Sequence, residues 1–379
     1  MQILKDGLAR MVNDLNLNPI NLYEYEKRAE LILPHDNWDF IAAGAMDELT
    51  TQKNRTALDA LSLRPRFLRD ITERSINTSV LGTPISLPVM ICPTGGHGIA
   101  HPNAECETAM GAGMSDTLMM CSTSSNKSLE EIADAATGPL WFQLYHRGYD
   151  LTEMLVKRAE EAGYKAIALT VDVPSPSPKE RDLKNQYARD LELGNFRGVG
   201  KSEEEISGTD ETPGWRVSRV APMTWQELDW LRSLTSLPLV LKGLRTAEDA
   251  RVAVECGVDG ILVSNHGGRQ MDATMSAIET LPEIVSAVNG KAEVYLDSGI
   301  RRGSDVLKAL ALGATAVGIG RPLYWGLAVK GAEGVHGVLE CLREEVDRAM
   351  SYTGQSDVKA LDEGLVNIPY GWGSGTTAP

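Results

Sequence analysis

Glycine and arginine recur together in two short segments near the end of the chain, DSGIRRGSD (297–305) and GIGRP (318–322). Glycines let backbone N–H groups approach phosphate oxygens, and arginines add charge-assisted, bidentate hydrogen bonds, so the pair reads as a phosphate site. GIGRP alone would also suit a tight turn before the last helix; the second Gly/Arg segment favours phosphate. A third segment, SNHGGRQMD (264–272), carries Ser264, Asn265, His266 and Arg269. The remaining polar candidates each close an apolar run: Thr94 and Gly95, Ser122, Gln143 and Tyr145, Thr170 and Asp172, Lys242, Asp297, Gly299 and Arg301, and Gly320 and Arg321. Apolar interiors with titratable ends describe an active site more readily than a structural scaffold.

The elements that must position these residues are legible from periodicity. Eight short apolar runs begin at residue 87: LPVMICP (87–93), TLMMCS (117–122), LWFQLY (140–145), AIALTVDV (166–173), LPLVLKG (237–243), GILVSN (260–265), EVYLDSG (293–299) and AVGIGR (316–321). Between them lie segments with helical spacing, such as SLEEIADAA, TAEDARVAVECG and SAIETLPEIVSAV, several opening on a Ser or Thr suited to cap a helix. Strands apolar on both faces and alternating with helices imply an α/β fold, a parallel (β/α)₈ TIM barrel. The competing doubly wound sheet needs a glycine-rich fingerprint after its first strand, which PTGGHG fits poorly. Barrel active sites lie at the C-terminal ends of the strands, and the loops after strands seven and eight commonly bind phosphate. The chain therefore reads as one domain. Residues 1–86 form an N-terminal helical extension, 87–355 the barrel, 174–223 a long active-site loop suited to act as a lid, and 356–379 a tail.

A formal net charge of −15 and the lack of a basic run exclude nucleic acid as a partner. No run of about 18 apolar residues could span a bilayer, and the first residues lack a signal-peptide pattern. The five cysteines are scattered without a CxxC pair and suit reduced thiols in a cytoplasmic protein. No metal site is expected.

SNHGGRQMD, with WFQLY, LTVDV, LVLKG and LDSGIRRGSDVLKALALGA, resembles the FMN-dependent 2-hydroxy acid dehydrogenase/oxidase family, which includes glycolate oxidase, lactate oxidase and mandelate dehydrogenase. The likeness runs from NLYEYEKRAE near residue 21 to about residue 355. STSSNKSLEEIA and KERDLKN look nearest to the mandelate dehydrogenase branch, whose membrane-binding segment falls within the loop after strand four; here that loop is polar and acidic. By matched position, the resemblance implies FMN as cofactor and oxidation of a 2-hydroxy acid, with oxygen, a quinone or a carrier as the final electron acceptor. It implies His266 as the base, Asp172 as its partner, Arg269 on the substrate carboxylate, Tyr145 near the reacting carbon and Lys242 beside the flavin. Thr94, Gly95, Ser122, Gln143, Thr170 and Ser264 line the flavin in that comparison, while Asp297, Gly299, Arg301, Gly320 and Arg321 hold its ribityl and phosphate. A homotetramer is implied as well.

Two positions depart from the family. In WDFIAAGAMDE, Phe40 stands where a substrate-binding tyrosine belongs, and Lys179 replaces a second carboxylate-gripping arginine. These changes leave open a different substrate, a modified hydroxy acid or an amine. Ser124 and Gly96 are small and would enlarge the pocket. Among the other histidines only His97 is expected near the flavin, where it could face substrate.

Overall fold

The computed structural model describes residues 18–175, 177–187, 192–199 and 223–369. Its centre is a closed barrel of eight parallel strands: β1 (Val89–Ile91), β2 (Met119–Ser122), β3 (Leu140–Leu144), β4 (Ile167–Thr170), β5 (Leu239–Lys242), β6 (Gly260–Val263), β7 (Glu293–Leu296) and β8 (Ala316–Ile319). Each strand pairs with its sequence neighbours, and β8 closes onto β1 through Val317 opposite Val89. Every expected strand is present.

Continuous hydrophobicity in the strands has a simple origin. Alternate side chains point to opposite faces, and both faces are covered. Met90, Met120, Trp141, Ala168, Val240, Leu262, Tyr295 and Ala316 fill the barrel interior. Their neighbours Val89, Met119, Leu140, Phe142, Ile167, Leu239, Leu241, Ile261 and Val317 face the surrounding helices. Several helices begin as their sequences suggest. Ser128 and Glu131 form a reciprocal capping box at the start of Leu129–Ala135, and Thr246 caps Ala247–Glu255.

The N-terminal extension differs from the helical expectation. Helices Leu22–Ile32, His35–Ala42 and Leu49–Ala60 are followed by an antiparallel hairpin, Thr78–Val80 with Thr83–Ile85. Gly82, at φ +76°, makes its turn without steric cost. Val80 and Ile85 are buried against the barrel-interior side chains and close that core. Residues 62–63 also pair with 366–367, so part of the expected tail is a strand. Most of the expected lid, including 200–222, lies outside the described residues, as does the end of the tail. Among the described residues, no helix is long and apolar enough to cross a membrane.

Candidate active site

The strand ends converge at one rim, and a belt of polar side chains runs around it. Ser122 Oγ at the end of β2 donates to Gln143 Oε1 at 3.2 Å, and Gln143 Nε2 donates to Thr170 Oγ1 on β4 at 2.9 Å. Lys242 Nζ on β5 donates to Ser264 Oγ after β6 at 3.0 Å and lies 3.5 Å from Asp297 Oδ2 after β7. Burial alone would lower the pKa of the Lys242 ammonium. The carboxylates of Asp297 and Asp172 outweigh it and hold the pKa above its ordinary value.

His266 sits over this belt. Its Nδ1 is 3.0 Å from Asp172 Oδ1, and its Nε2 is 3.4 Å from the Tyr145 hydroxyl. With Nδ1–H donating to the carboxylate, Nε2 keeps its lone pair toward Tyr145. Burial lowers the His266 pKa; Asp172 pulls it upward and Lys242 pushes it down, leaving it below its ordinary value. Burial would raise Asp172, but its interaction with His266, including the hydrogen bond from Nδ1, and the charge of Lys242 hold it low, as a carboxylate. The imidazole is therefore neutral near pH 7 and has a charged partner.

Arg269 and Arg321 share a set of backbone carbonyls from the N-terminal extension. Arg269 Nη1 donates to Phe40 O at 2.8 Å and Ala43 O at 2.6 Å. Arg321 donates through Nε to Ile41 O at 3.1 Å, Nη2 to Ala43 O at 3.0 Å and Nη1 to Gly267 O at 2.9 Å. Arg301 stacks on Trp325 with its guanidinium carbon 4.7 Å from the ring centre. Burial and then the like charges of Arg269 and Arg301 push Arg321 down to about 9. A guanidinium stays charged in proteins, so the shift marks a cation buried beside two like charges. Residues Glu48 and Glu26 offset it only in part. A phosphate dianion would supply the missing charge, so the residues fit a phosphate-bearing group. The helical segment Arg321–Thr353, broken at Lys330 and Gly331, starts here, after Gly320, with Pro322 in its first turn.

The helix Leu49–Ala60 clamps the loops after β6 and β7. Asn54 and Asn265 exchange side-chain hydrogen bonds at 2.9 and 2.6 Å. Arg55 reaches Gly299 O at 2.8 Å and Asp305 at 2.6 Å, and Asp305 in turn accepts the backbone N–H groups of Arg301 and Arg302 at 3.0 Å. A Cβ on Gly299 would lie 2.8 Å from Asn54 O, and one on Gly268 or Gly44 would strike Thr51 of the same helix. Asn54 and Arg55 escaped the sequence reading because they lie over 200 residues from their partners, in a segment with no motif.

The structure brings Thr94, Gly95, Ser122, Gln143, Tyr145, Thr170, Asp172, Lys242, Ser264, His266 and Asp297 to the strand ends. Gly95 and Gly320 stand beside β1 and β8, and the Tyr324 hydroxyl donates to Gly95 O at 2.7 Å. Phe40 packs between Arg269, 5.0 Å from its ring centre, and Tyr187, at 5.5 Å. Lys179 stands just before the helix Glu180–Lys184 without a side-chain capping bond, and its Nζ donates to Ser177 O at 2.9 Å within its own loop. The expectation that His97 could face substrate is corrected. His97 is buried, its two ring nitrogens meet Thr94 and Thr108 at 2.8 and 2.9 Å, and its backbone N–H donates to Glu105. Among the described residues, no group of His, Cys, Asp and Glu could hold a metal ion.

Residues 29–368 match the family model described as FMN-dependent dehydrogenase. The chain is 45% identical over 360 residues to the L-lactate oxidase of Nostoc sp., covering 93% of this chain and 99% of that one. It is 44% identical over 345 residues to glycolate oxidase 3 of Arabidopsis thaliana, covering 90% and 94%. A crystal structure of a mutant of the active chimera of (S)-mandelate dehydrogenase superposes with a TM-score of 0.87 at 35% identity, covering 93% of this chain and 100% of that one.

Proposed function

The chain belongs to the FMN-dependent dehydrogenase family, and on that premise we propose that it oxidises a small (S)-2-hydroxy acid to the 2-oxo acid, with His266 as the base. The observation that carries this reading is the His266 ring, held through Nδ1 by Asp172 while Nε2 is directed toward Tyr145. A base needs a neutral nitrogen within reach of its proton and a partner for the charge it acquires. His266 meets both conditions.

In this reading the substrate lies between His266, Tyr145 and Arg269. Arg269 takes the carboxylate; the carbonyls of Phe40 and Ala43 and the Phe40 ring fix its guanidinium plane. Tyr145 hydrogen-bonds the substrate hydroxyl. His266 Nε2 removes the proton, and Asp172 stabilises the imidazolium that results. FMN, the family's cofactor, supplies the two-electron acceptor for the C–H bond that is broken. Arg301 and Arg321 would hold its phosphate, and Lys242 would place a positive charge beside its ring system. Ser122, Gln143, Thr170 and Ser264 would line it through the hydrogen-bonded belt. The small residues Ser124 and Gly96 leave room for a substrate larger than glycolate.

The test is anaerobic. Aliphatic and aromatic 2-hydroxy acids are added to the holoenzyme, and loss of visible flavin absorbance is followed. Bleaching by the (S) isomers, with FMN released on denaturation, is the expected result. His266→Ala should keep FMN and bleach about 10²–10⁴-fold more slowly, the usual contribution of a general base. Bleaching of His266→Ala at the wild-type rate would remove His266 from the mechanism.

A further inference from the structure

Three consecutive backbone N–H groups around His266 are each held by a serine hydroxyl. His266 N–H donates to Ser264 Oγ at 3.0 Å. The N–H groups of Asn265 and Gly267, on either side, both donate to Ser298 Oγ, at 3.4 and 3.1 Å. The Ser298 hydroxyl itself donates to Asp297 Oδ1 at 2.7 Å. Asp297 Oδ2 accepts from the Cys92 thiol at 3.4 Å and lies 3.5 Å from Lys242 Nζ. Ser264 Oγ accepts from that same ammonium at 3.0 Å. Two arms leave the Lys242–Asp297 pair and meet on the backbone of the base.

The backbone at Ser298 is strained. Its φ is +77°, in the left-handed region where a side chain costs about 1–2 kcal/mol and glycine costs little. Ser298 is also 8% exposed, so solubility does not explain a polar side chain there. A position that would relax as glycine keeps a buried hydroxyl, and that hydroxyl is spent on the loop that carries His266. His266 has φ +59°, also strained for a side-chain-bearing residue. Such conformations persist only where surrounding bonds over-determine them, and the three N–H contacts do so here.

We propose that Ser298 is a positioning residue for His266, its hydroxyl relaying the Asp297 carboxylate to the 265–267 backbone and holding the imidazole in line with Asp172. The inference rests on His266 being the base. It also alters the reading of Asp297. Its carboxylate is engaged by Ser298, Cys92 and Lys242, so it acts through the protein as much as on a ribityl chain.

The experiment compares Ser298→Gly and Ser298→Ala holoenzymes with wild type, and uses His266→Ala as the reference for a lost base. Ser298→Gly removes the hydroxyl while relaxing the backbone, so its melting temperature should equal or exceed that of Ser298→Ala. Both should bleach about 10–100-fold more slowly at saturating substrate, the cost of a reacting group displaced by up to an ångström, with little change in substrate affinity. The groups facing His266 are Asp172, Lys242, Asp297 and Tyr145. Of these, Asp172 foremost raises its pKa, so an imidazole that drifts from Asp172 titrates lower and the acid limb of the rate profile moves to lower pH. Amide hydrogen exchange should quicken in the peptide spanning 265–268. A merely structural role would lower the melting temperature of both variants and leave the acid limb in place, which overturns the inference. Loss of FMN with unchanged exchange at 265–268 would assign the hydroxyl to cofactor binding and overturn it as well. If His266→Ala bleaches normally, the base reading fails first and takes the inference with it. If His266→Ala is inert and Ser298→Gly retains the wild-type rate and acid limb, only the inference fails.

Discussion

Replacing Asp172 by asparagine isolates the charge on the partner of the base. Asp172 Oδ1 accepts from His266 Nδ1 at 3.0 Å, while its Oδ2, buried, takes no hydrogen bond from the described protein groups. Asparagine keeps the shape and can still accept through its carbonyl, so the lost quantity is mainly electrostatic. Exchanging a charge-assisted hydrogen bond for a neutral one costs about 1–2 kcal/mol. The full attraction between an imidazolium and a carboxylate about 4 Å apart, at an effective dielectric of about 20, is about 4 kcal/mol. The expected loss in the bleaching rate therefore lies between about 10-fold and 10³-fold. The pH dependence has a definite sign. Burial and Lys242 lower the His266 pKa and Asp172 raises it, so Asp172→Asn lowers it further. The base is competent above its pKa, so the acid limb moves to lower pH while the plateau falls. Stopped-flow flavin bleaching under anaerobic conditions, measured across the pH range, reads both effects. An unchanged plateau, or an acid limb displaced upward, would refute the reasoning.

Arg321→Met should weaken FMN binding by about 10–100-fold, the worth of a charge-assisted contact, read by flavin fluorescence on titrating the apoprotein. Gly95→Ala places a Cβ 2.9 Å from Ser124 O and 3.0 Å from Ser124 Cβ. Overpacking of that kind should cost about 1–3 kcal/mol, read in thermal unfolding. Phe40→Leu removes the ring stacked on Arg269 and should raise the KM for carboxylate substrates by about 2- to 30-fold, the range of an Arg–aromatic contact of about 0.5–2 kcal/mol. Lys179→Arg restores a planar fork and should tighten 2-hydroxy acid binding by about 1–2 kcal/mol; unchanged affinity would show that residue 179 does not face the substrate.

The barrel was legible because its physics is local. Strands covered on both faces must be apolar throughout, and the helices between them must show a repeat of about 3.6 residues, so each appears in a short window of sequence. The rim was legible for the same reason: a polar residue at the end of an apolar run, as with Gln143, Lys242 or Asp297, marks where a strand leaves the core. The hairpin 78–85 carried a weaker signal, a single glycine turn between two three-residue strands.

What the chain alone determined is thus the fold class, the family and the set of groups at the strand ends. Contacts between distant segments belong to the tertiary structure. Nothing in the sequence of Leu49–Ala60 shows that Asn54 pairs with Asn265, or that Arg55 fixes Gly299 and Asp305. Nothing in DSGIRRGSD shows that Ser298 turns its hydroxyl to the loop of His266 rather than to a ligand. His97, close in sequence to Thr94 and Gly95, has its ring held in the core by Thr94 and Thr108. Sequence periodicity reports whether a side chain meets protein or water. Which polar partner it meets depends on closing the barrel and laying the N-terminal helix across it, and that is decided only when residues hundreds apart come within hydrogen-bond distance.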